Sequence, residues 1–420
     1  MSKNARDRRP YVKPVTRIEL SEKNVKLRWI LIVVLLSVAV VAILTGLMSM
    51  LNTQPGWQQV EVSSEERNCS RDFILMYDFS DSGSGATAQF RQLTNLYTEA
   101  TEQAYRIFTA DLLEEGLYNV AYVNAHVNET VTVEPELYKA LALTVQYSDR
   151  HVFLAPAMAE YNRVFLCEED AEAALYDPAR NEETAAWLAE LALFVNAPEM
   201  ISLDILGENQ VRLNVAGEYL AFAEENEIGT FLDFGWMTNA FLADYLAEVL
   251  TENGFTNGYL SSYDGFTRNL DARGQNYAVN LFDAQGTDVY MPARMHYSGS
   301  MSIVSLRNYP MDELDKWHYY AFASGEIVTA FLDPADCMSK SATDSLVSYS
   351  SDAGCAEILL QIANVFIADE FQPDALKALA DRGVCSIWLE GTTLKYNDET
   401  LALEQLTENG GERYSTSLEK

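Results

Sequence analysis

Histidines and the standard catalytic motifs are scarce in this 420-residue sequence. Its four histidines are His126, His151, His296 and His318, too few and too scattered for a histidine-rich metal site. The sequence contains no G-x-S-x-G, no H-E-x-x-H, no P-loop and no G-x-G-x-x-G after a predicted strand. These absences argue against the serine hydrolases, zinc proteases and nucleotide-binding proteins that carry such motifs.

A pair of side chains has a spacing that suits a metal ion. Glu357 and Gln361 stand at positions i and i+4, which places them on one face of the helix predicted over 356–366. Both side chains carry oxygen atoms, the ligands that Mg²⁺ prefers. The alternative is a solvated polar face on an otherwise apolar helix.

His318 is a second candidate, because histidine changes its charge near neutral pH and often transfers protons. Its neighbours in the sequence are Trp317, Tyr319 and Tyr320. These bulky side chains favour an alternative interpretation, a hydrogen-bonded histidine in a strand or in the core.

Segments in a fixed order resemble the motifs of the FAD:protein FMN transferase family. The stretch 233–244 is similar, without gaps, to the family motif D-L-G-G-I-A-K-G-Y-A-V-D. Upstream, the asparagine at 124, the strand 131–133, the helix 136–148 and the run 153–156 follow the family's order. Downstream, 318–325 is similar to H-I-I-D-P-R-T-G and 356–362 to A-D-A-L-S-T-A. The resemblance covers residues 73–400.

This resemblance implies an α+β fold of two subdomains that moves FMN from FAD onto a Ser or Thr of a flavoprotein acceptor, with Mg²⁺ at the pyrophosphate. The implied acceptor is extracytoplasmic, as in a membrane redox complex. The matched positions are catalytic His318 and Asp264, cofactor-binding Asp233, Gly235, Asn239, Asp244, Gly265 and Gly325, and metal-binding Glu357 and Gln361. For Asp233 and Asp244 the alternative is a role in local structure.

Several motif positions carry other residues here. The motif lysine is Asn239, and a motif glycine is Trp236, which is expected to obstruct the close approach of backbone to a phosphate. Glu357 and Gln361 are each one methylene longer than the family's Asp and Thr, so weaker metal binding is expected. Two functions stay open: a transferase with weakened or lost activity, and a non-catalytic membrane-anchored binding or scaffold domain of the same fold.

The run 81–87 matches D-x-x-S-G-A-T, which resembles the acceptor motif that such transferases modify. Thr87 stands at the position of the flavinylated residue. The alternative is a chance match within a Ser/Gly-rich loop.

Residues 29–51 form an uncharged stretch rich in Leu, Val, Ile, Ala and Met, long enough for a helix across about 30 Å of hydrocarbon. Residues 1–28 are basic, which predicts a cytoplasmic N-terminus. The lengths of both segments favour an uncleaved signal anchor over a cleaved signal peptide. We therefore expect a single-pass protein of a bacterial-type cell membrane with its main domain extracytoplasmic.

The net charge is −33 although the first 28 residues are basic, so the part beyond the anchor is strongly acidic. Nucleic acid and anionic lipid are poor partners for such a surface, and no nucleic-acid binding is expected. A polyanionic ligand would need a divalent cation or clustered backbone donors.

The outer part divides into a polar stalk over 52–68, a folded domain over 69–406 and a polar tail over 407–420 that is expected to be frayed. Hydrophobic patterning predicts strands at 73–79, 131–133, 277–282 and 301–306 and a loop at 80–86. Helices are predicted after 86, from Pro135, after an Asn181 cap, and at 241–250 and 356–366.

Helices and strands are mixed without regular β-α-β alternation, which favours the α+β class. Five cysteines without a C-x-x-C pair leave buried thiols or at most two disulfides.

Overall fold

A large sheet organises the domain in the computed structural model. Its described strands follow the order β1-β2-β6-β7-β10-β13-β14-β15-β17. Neighbouring strands are antiparallel except for β15 and β17, which are parallel. Smaller sheets have the orders β16-β9-β8 and β3-β5-β4, and β11 pairs with β12. The mixture of sheets and helices confirms the predicted α+β class.

The strands are β1 (Trp57–Val60), β2 (Phe73–Asp78), β3 (Thr130–Thr132), β4 (Ile201–Gly207), β5 (Gln210–Val215), β6 (Gly258–Ser262), β7 (Phe266–Asn269), β8 (Asn276–Gln285), β9 (Asp288–Ser298), β10 (Met301–Arg307), β11 (Tyr319–Ala321), β12 (Ile327–Thr329), β13 (Ser345–Ser350), β14 (Cys385–Glu390), β15 (Thr393–Tyr396), β16 (Ala402–Gln405) and β17 (Ser415–Leu418).

The α-helices are α1 (Ala86–Phe108), α2 (Val120–Ala125), α3 (Pro135–Gln146), α4 (Ala155–Tyr161), α5 (Asp170–Ala173), α6 (Glu182–Val195), α7 (Gly217–Glu225), α8 (Thr238–Glu252), α9 (Cys355–Phe366) and α10 (Pro373–Ala380). Short 3₁₀ turns are Ser70–Asp72, Ser80–Gly85, His151–Phe153, Asn162–Leu166 and Gly235–Met237.

The large sheet separates two hydrophobic cores, because successive side chains of a strand point to opposite faces. On β10 and β13, Val304 and Leu346 pack into the core that the helices cover. Their neighbours Ile303 and Val347 pack into a second core, which β8, β9 and β16 cover. The helices that carry the candidate site therefore lie on one face of this sheet.

Three helices on that face follow the sequence patterns. Helix α1 buries the predicted stripe at Leu93, Tyr97, Ala104 and neighbouring positions. Helix α3 begins with a first-turn proline, which suits the unpaired N–H groups there. The Asn181 side chain caps α6 by accepting from two backbone N–H groups, as predicted.

The structure describes residues 34, 35, 38, 56–286, 288–311, 315, 317–407 and 413–419. The chain divides into the units Met1–Thr53 and Gln54–Lys420, and the second unit contains the folded domain. Apart from residues 34, 35 and 38, the predicted tail and anchor over 1–51 lie outside the described residues. Among the described residues, we find no helix with the length and apolarity needed to span a membrane.

Both ends of the outer domain differ from the sequence expectation. Residues Trp57–Val60 of the expected stalk pair with β2 as the edge strand of the large sheet. The expected frayed tail also contains an ordered part: Ser415–Leu418 pairs with β15. Tyr414 is buried and donates a hydrogen bond of 2.5 Å to Asp283. These short strands could not be predicted from their polar composition, because they are stabilised by partner strands that are distant in the sequence.

Two further expectations are settled by the described residues. All five cysteines are free thiols, and Cys69, Cys337 and Cys355 are buried. The expected loop at 80–86 instead contains a 3₁₀ turn, Ser80–Gly85, and α1 begins at Ala86. An ion pair of 2.9 Å between Arg273 and Asp81 ties this turn to the rest of the domain.

Candidate functional site

A cleft of about 500 Å³ lies where α1 ends and α8 begins. Four separated parts of the sequence meet in it: the turn before strand β2, the end of α1 with the residues that follow it, the 233–242 segment, and the residues just before β11. Its walls are formed by Asn68, Cys69, Arg71, Asp72, Tyr105, Phe108, Thr109, Ala110, Asp111, Asp233, Gly235, Thr238, Asn239, Leu242, Trp317 and His318. Four of the predicted site residues, Asp233, Gly235, Asn239 and His318, therefore share one cavity.

The segment that begins at Asp233 is held in a tight turn on the cleft wall. The Asp233 N–H donates to the Val152 carbonyl at 2.9 Å, and the Asp233 carboxylate accepts from the Gly235 N–H at 3.2 Å. Gly235 has φ +55°, and a Cβ atom there would stand 1.9 Å from the Met158 Cε. The left-handed conformation therefore favours glycine, and a Cβ would also have to displace the end of the Met158 side chain. Burial, and secondarily Asp111, raise the pKa of Asp233, whereas the Gly235 N–H lowers it.

The predicted catalytic residue Asp264 does not line the cleft, but it interacts with Asn239 and is attracted to His318, which both do. The Asn239 side-chain amide donates to the Asp264 carboxylate at 2.9 Å. Burial raises the pKa of Asp264, and attraction to His318 opposes this rise. The arrangement brings a titratable histidine that lines the cleft close to a buried acid, which suits proton transfer.

Asp72 is a cleft residue that the sequence did not indicate. It ends the Ser70–Asp72 turn, and its backbone carbonyl accepts from the Tyr263 N–H at 3.0 Å. Its side chain is accessible from the open side of the cleft, but surrounding protein and, secondarily, repulsion from Asp264 raise its pKa to about 6. A single Asp before a strand gives no sequence signal for this, because Asp264 comes from another part of the chain.

Gly265 follows Asp264 but does not line the cleft. It has φ +107°, and a Cβ atom there would stand 2.2 Å from the Ser305 carbonyl oxygen. The Ser305 N–H in turn donates to the Gly265 carbonyl at 2.9 Å. Gly265 thus permits the close approach of β10 to the turn that carries Asp264.

Asp244 is a residue of α8 that lies outside the cleft and contacts the start of α9. Its carboxylate accepts from the Cys355 and Ala356 N–H groups at 2.8 and 2.9 Å, which satisfies donors that a helix N-terminus leaves unpaired. Gly354 leaves the necessary room, since a Cβ atom there would stand 2.3 Å from the Asp244 carboxylate. Asp244 also lines a smaller cavity of about 240 Å³, which shares Phe108 with the cleft.

The predicted metal ligands Glu357 and Gln361 do lie on one face of α9, and both are partly buried. The Glu357 carboxylate accepts from the Tyr147 hydroxyl at 2.7 Å, whereas the Gln361 amide donates to the Glu357 backbone carbonyl at 3.1 Å. Burial, with Glu357, raises the pKa of Tyr147 to about 12, so the hydroxyl keeps the proton that it donates.

Within the described residues, no group of three or more His, Cys, Asp or Glu side chains is arranged to hold a metal ion. Mg²⁺ needs near-octahedral oxygen ligands at about 2.0–2.1 Å. Glu357 and Gln361 together offer two side-chain oxygen ligands, which do not complete that set.

The remaining predicted residues lie elsewhere. Gly325 is exposed in the turn between β11 and β12, with φ +88°, and does not line the cleft. Thr87 is the second residue of α1 and is partly buried. Trp236 does not obstruct the cleft, contrary to expectation, because its indole is buried against His151 and Phe331 at ring-centroid distances of 5.9 and 5.0 Å.

Comparisons with known proteins give structural matches alone. No protein-family model matches the sequence, and no curated protein matches it. Among solved structures, the chain is similar to the ApbE protein of Thermotoga maritima, with 15% identity, a TM-score of 0.49, and 79% of this chain and 93% of that chain covered. It is also similar to the flavin transferase ApbE of Vibrio cholerae, with 12% identity, a TM-score of 0.45, and 80% and 94% covered.

A third similar structure is the apo form of the flavinyl transferase ApbE of Pseudomonas stutzeri, with 11% identity, a TM-score of 0.45, and 81% and 93% covered. The family that the sequence motifs resemble is therefore also the family of these similar structures.

Proposed function

We propose that this chain is a divergent FAD:protein FMN transferase-like protein that binds a flavin in the cleft and transfers FMN weakly. The observation that carries this proposal is the convergence of Asp233, Gly235, Asn239, Asp264 and His318, from three separate motifs, around one cavity. Tyr105, Phe108 and Trp317 add aromatic surfaces to that cavity, against which a flat ring can pack.

In the proposed reaction, the hydroxyl of an acceptor Ser or Thr attacks the FMN phosphorus of FAD. A P–O bond to the acceptor forms, the P–O bond to AMP breaks, and the hydroxyl proton passes to a base. His318 is the base that we propose, because it lines the cleft beside the buried Asp264. Asn239 keeps Asp264 in place through its 2.9 Å hydrogen bond.

The reaction is proposed to be weak for two reasons. The cleft walls carry Asp72, Asp111 and Asp233 against one arginine, Arg71, so they repel a pyrophosphate. Bound Mg²⁺ would neutralise such charge, but Glu357 and Gln361 are engaged in other hydrogen bonds. We therefore derive no step that depends on a metal ion.

The same engagement favours a second function, a non-catalytic binding or scaffold domain of this fold. The two functions differ in one product. A transferase releases AMP when FAD and an acceptor are both present, whereas a binding domain holds the flavin without releasing AMP.

The first test measures FAD binding to the full-length chain in detergent through the quenching of FAD fluorescence. The second test measures AMP release after addition of a peptide that carries D-x-x-S-G-A-T. Saturable quenching with slow AMP release is expected. His318→Ala should abolish AMP release, and His296→Ala is the matched control, because His296 is exposed and pairs with Glu404 outside the cleft. Equal AMP release by both variants would exclude His318 as the base.

We further propose that residues 29–51 anchor the chain in a membrane with the domain outside the cytoplasm, on the strength of the apolar stretch and the basic residues before it. The partly exposed thiols of Cys167 and Cys385 provide a test. A membrane-impermeant maleimide should label the chain on intact cells. Labelling that occurs only after lysis would place the domain inside.

The acceptor protein is the remaining part of the proposal. We propose an extracytoplasmic flavoprotein acceptor, and the Thr87 segment is a candidate for self-modification. Covalent yellow fluorescence that depends on Thr87 would identify this chain as its own acceptor.

A further inference from the structure

The start of α9 already contains a fixed positive charge. Arg268 lies on β7, and its guanidinium Nη1 stands 3.4 Å from the Asp244 carboxylate. Nη1 also donates to the Ser302 hydroxyl at 2.5 Å. Arg268 and Ser302 are paired residues of β7 and β10, so the sheet register sets the position of the guanidinium.

The carboxylates near this cation accept hydrogen bonds but keep further lone pairs, so these bonds alone do not prevent a metal ion from binding. Both Asp244 oxygens accept backbone N–H groups of α9, and Glu357 accepts from Tyr147. The Asp244 carboxyl is partly buried, and burial raises its pKa while Arg268 opposes that rise. Arg268 thus stabilises the charged form of Asp244 at the helix end.

We infer that Arg268 supplies, beside Asp244 and Glu357, the positive charge that the resembled family takes from a divalent cation. A guanidinium stays protonated at every physiological pH, so its charge does not depend on metal supply. A divalent cation at this place would meet like-charge repulsion from Arg268. The start of α9 is therefore independent of Mg²⁺.

This inference deepens the proposed function, because a chain that binds no divalent cation at the start of α9 must bind FAD without one there. Its central statement concerns metal binding, however, and can be tested without any flavin. The probe is Mn²⁺, a paramagnetic substitute for Mg²⁺, whose free-ion resonance signal falls when the ion binds to protein.

The experiment titrates Mn²⁺ into the full-length chain in detergent. We expect the wild-type chain to leave the free Mn²⁺ signal unchanged. Arg268→Met should bind Mn²⁺ at least about tenfold more tightly than wild type, because it leaves the Asp244 carboxylate without its ion-pair partner. Arg268→Lys should behave as wild type. The control is Arg294→Met, which removes a surface arginine that pairs with Glu404.

Two results would overturn the inference. One is Mn²⁺ binding by the wild-type chain that Glu357→Gln abolishes. The other is a folded Arg268→Met, or Arg268→Gln if the first variant does not fold, that gains no Mn²⁺ affinity. If FAD fails to bind while the Mn²⁺ results hold, the proposed function is refuted and the assignment of Arg268 stands.

Discussion

Asn239 and Asp264 are joined by a hydrogen bond of 2.9 Å that links the first turn of α8 to the end of β6. Asn239 stands where the resembled family has a lysine, so a neutral amide here donates to one oxygen of the partly buried Asp264 carboxylate. The pair keeps Asp264 in place without adding a positive charge to an acidic cleft. This single relationship accounts for both the order of the site and its proposed weak activity.

The first prediction restores the missing charge. Asn239→Lys should tighten FAD binding by about tenfold, or ~1.4 kcal/mol, because a cation then offsets the carboxylates of Asp72, Asp111 and Asp233. Asn239→Gln, which keeps the amide, is the control and should not tighten it. Fluorescence titration with FAD gives both affinities. Equal affinities for the two variants would show that charge does not limit binding.

The second prediction concerns pH. The pKa of Asp72 is about 6 in the folded chain against 3.8 as its ordinary value, so the folded state binds more protons between these values. Stability from this group therefore falls as the pH rises from about 4 to 6. FAD should bind several-fold more tightly at pH 5 than at pH 7, since a protonated Asp72 no longer repels phosphate.

Asp72→Asn is the variant that tests this assignment. It should bind FAD at pH 7 as tightly as the wild type does at pH 5, with little further change. An undiminished pH dependence in Asp72→Asn would assign the effect to another group, such as Asp233, whose pKa burial also raises.

The third prediction separates backbone strain from steric overlap. Gly235→Ala should lower the free energy of unfolding by more than the ~1–2 kcal/mol that a left-handed backbone costs a non-glycine residue, because its Cβ would also overlap Met158. Gly325→Ala is the control, since Gly325 has φ +88° and open space around it. Met158→Ala removes a buried side chain and is destabilising by itself. Its cost should be partly offset when it is combined with Gly235→Ala, and should simply add when it is combined with Gly325→Ala. Urea unfolding of the three single and two double variants measures this.

The fourth prediction concerns the cap of α9. Gly354→Ala should lower the free energy of unfolding by roughly 0.5–2 kcal/mol, because the added Cβ displaces Asp244 from the Cys355 and Ala356 N–H groups. Gly217→Ala, at the start of α7, has open space and should not destabilise the chain. Similar losses in both variants would show that the cap is not the cause.

Local patterns in the sequence were sufficient for the elements that depend on local interactions. The stripe of α1, the proline at the start of α3 and the Asn181 cap were all predicted and are confirmed. Strands β1 and β17 were missed, because short polar strands are set by their partner strands. For the same reason, nothing in the sequence indicated that residues of the predicted stalk and tail pair with strands of the domain.

The site was predictable only in part. Motif resemblance brought out Asp233, Gly235, Asn239 and His318, which do meet in the cleft. It could not reveal that Asp244 caps α9, because that role depends on the backbone of residues distant in the sequence. The raised pKa of Asp72 and the position of Arg268 likewise arise from contacts between separate strands and helices.

The most direct test of the account is FAD titration of the full-length chain in the presence and absence of Mg²⁺. The account predicts saturable quenching of FAD fluorescence with the same affinity in Mg²⁺ and in EDTA. It also predicts weaker binding by Gly235→Ala, whose cleft wall is displaced, than by Gly325→Ala. No saturable quenching under either condition would contradict the proposal that this cleft binds a flavin.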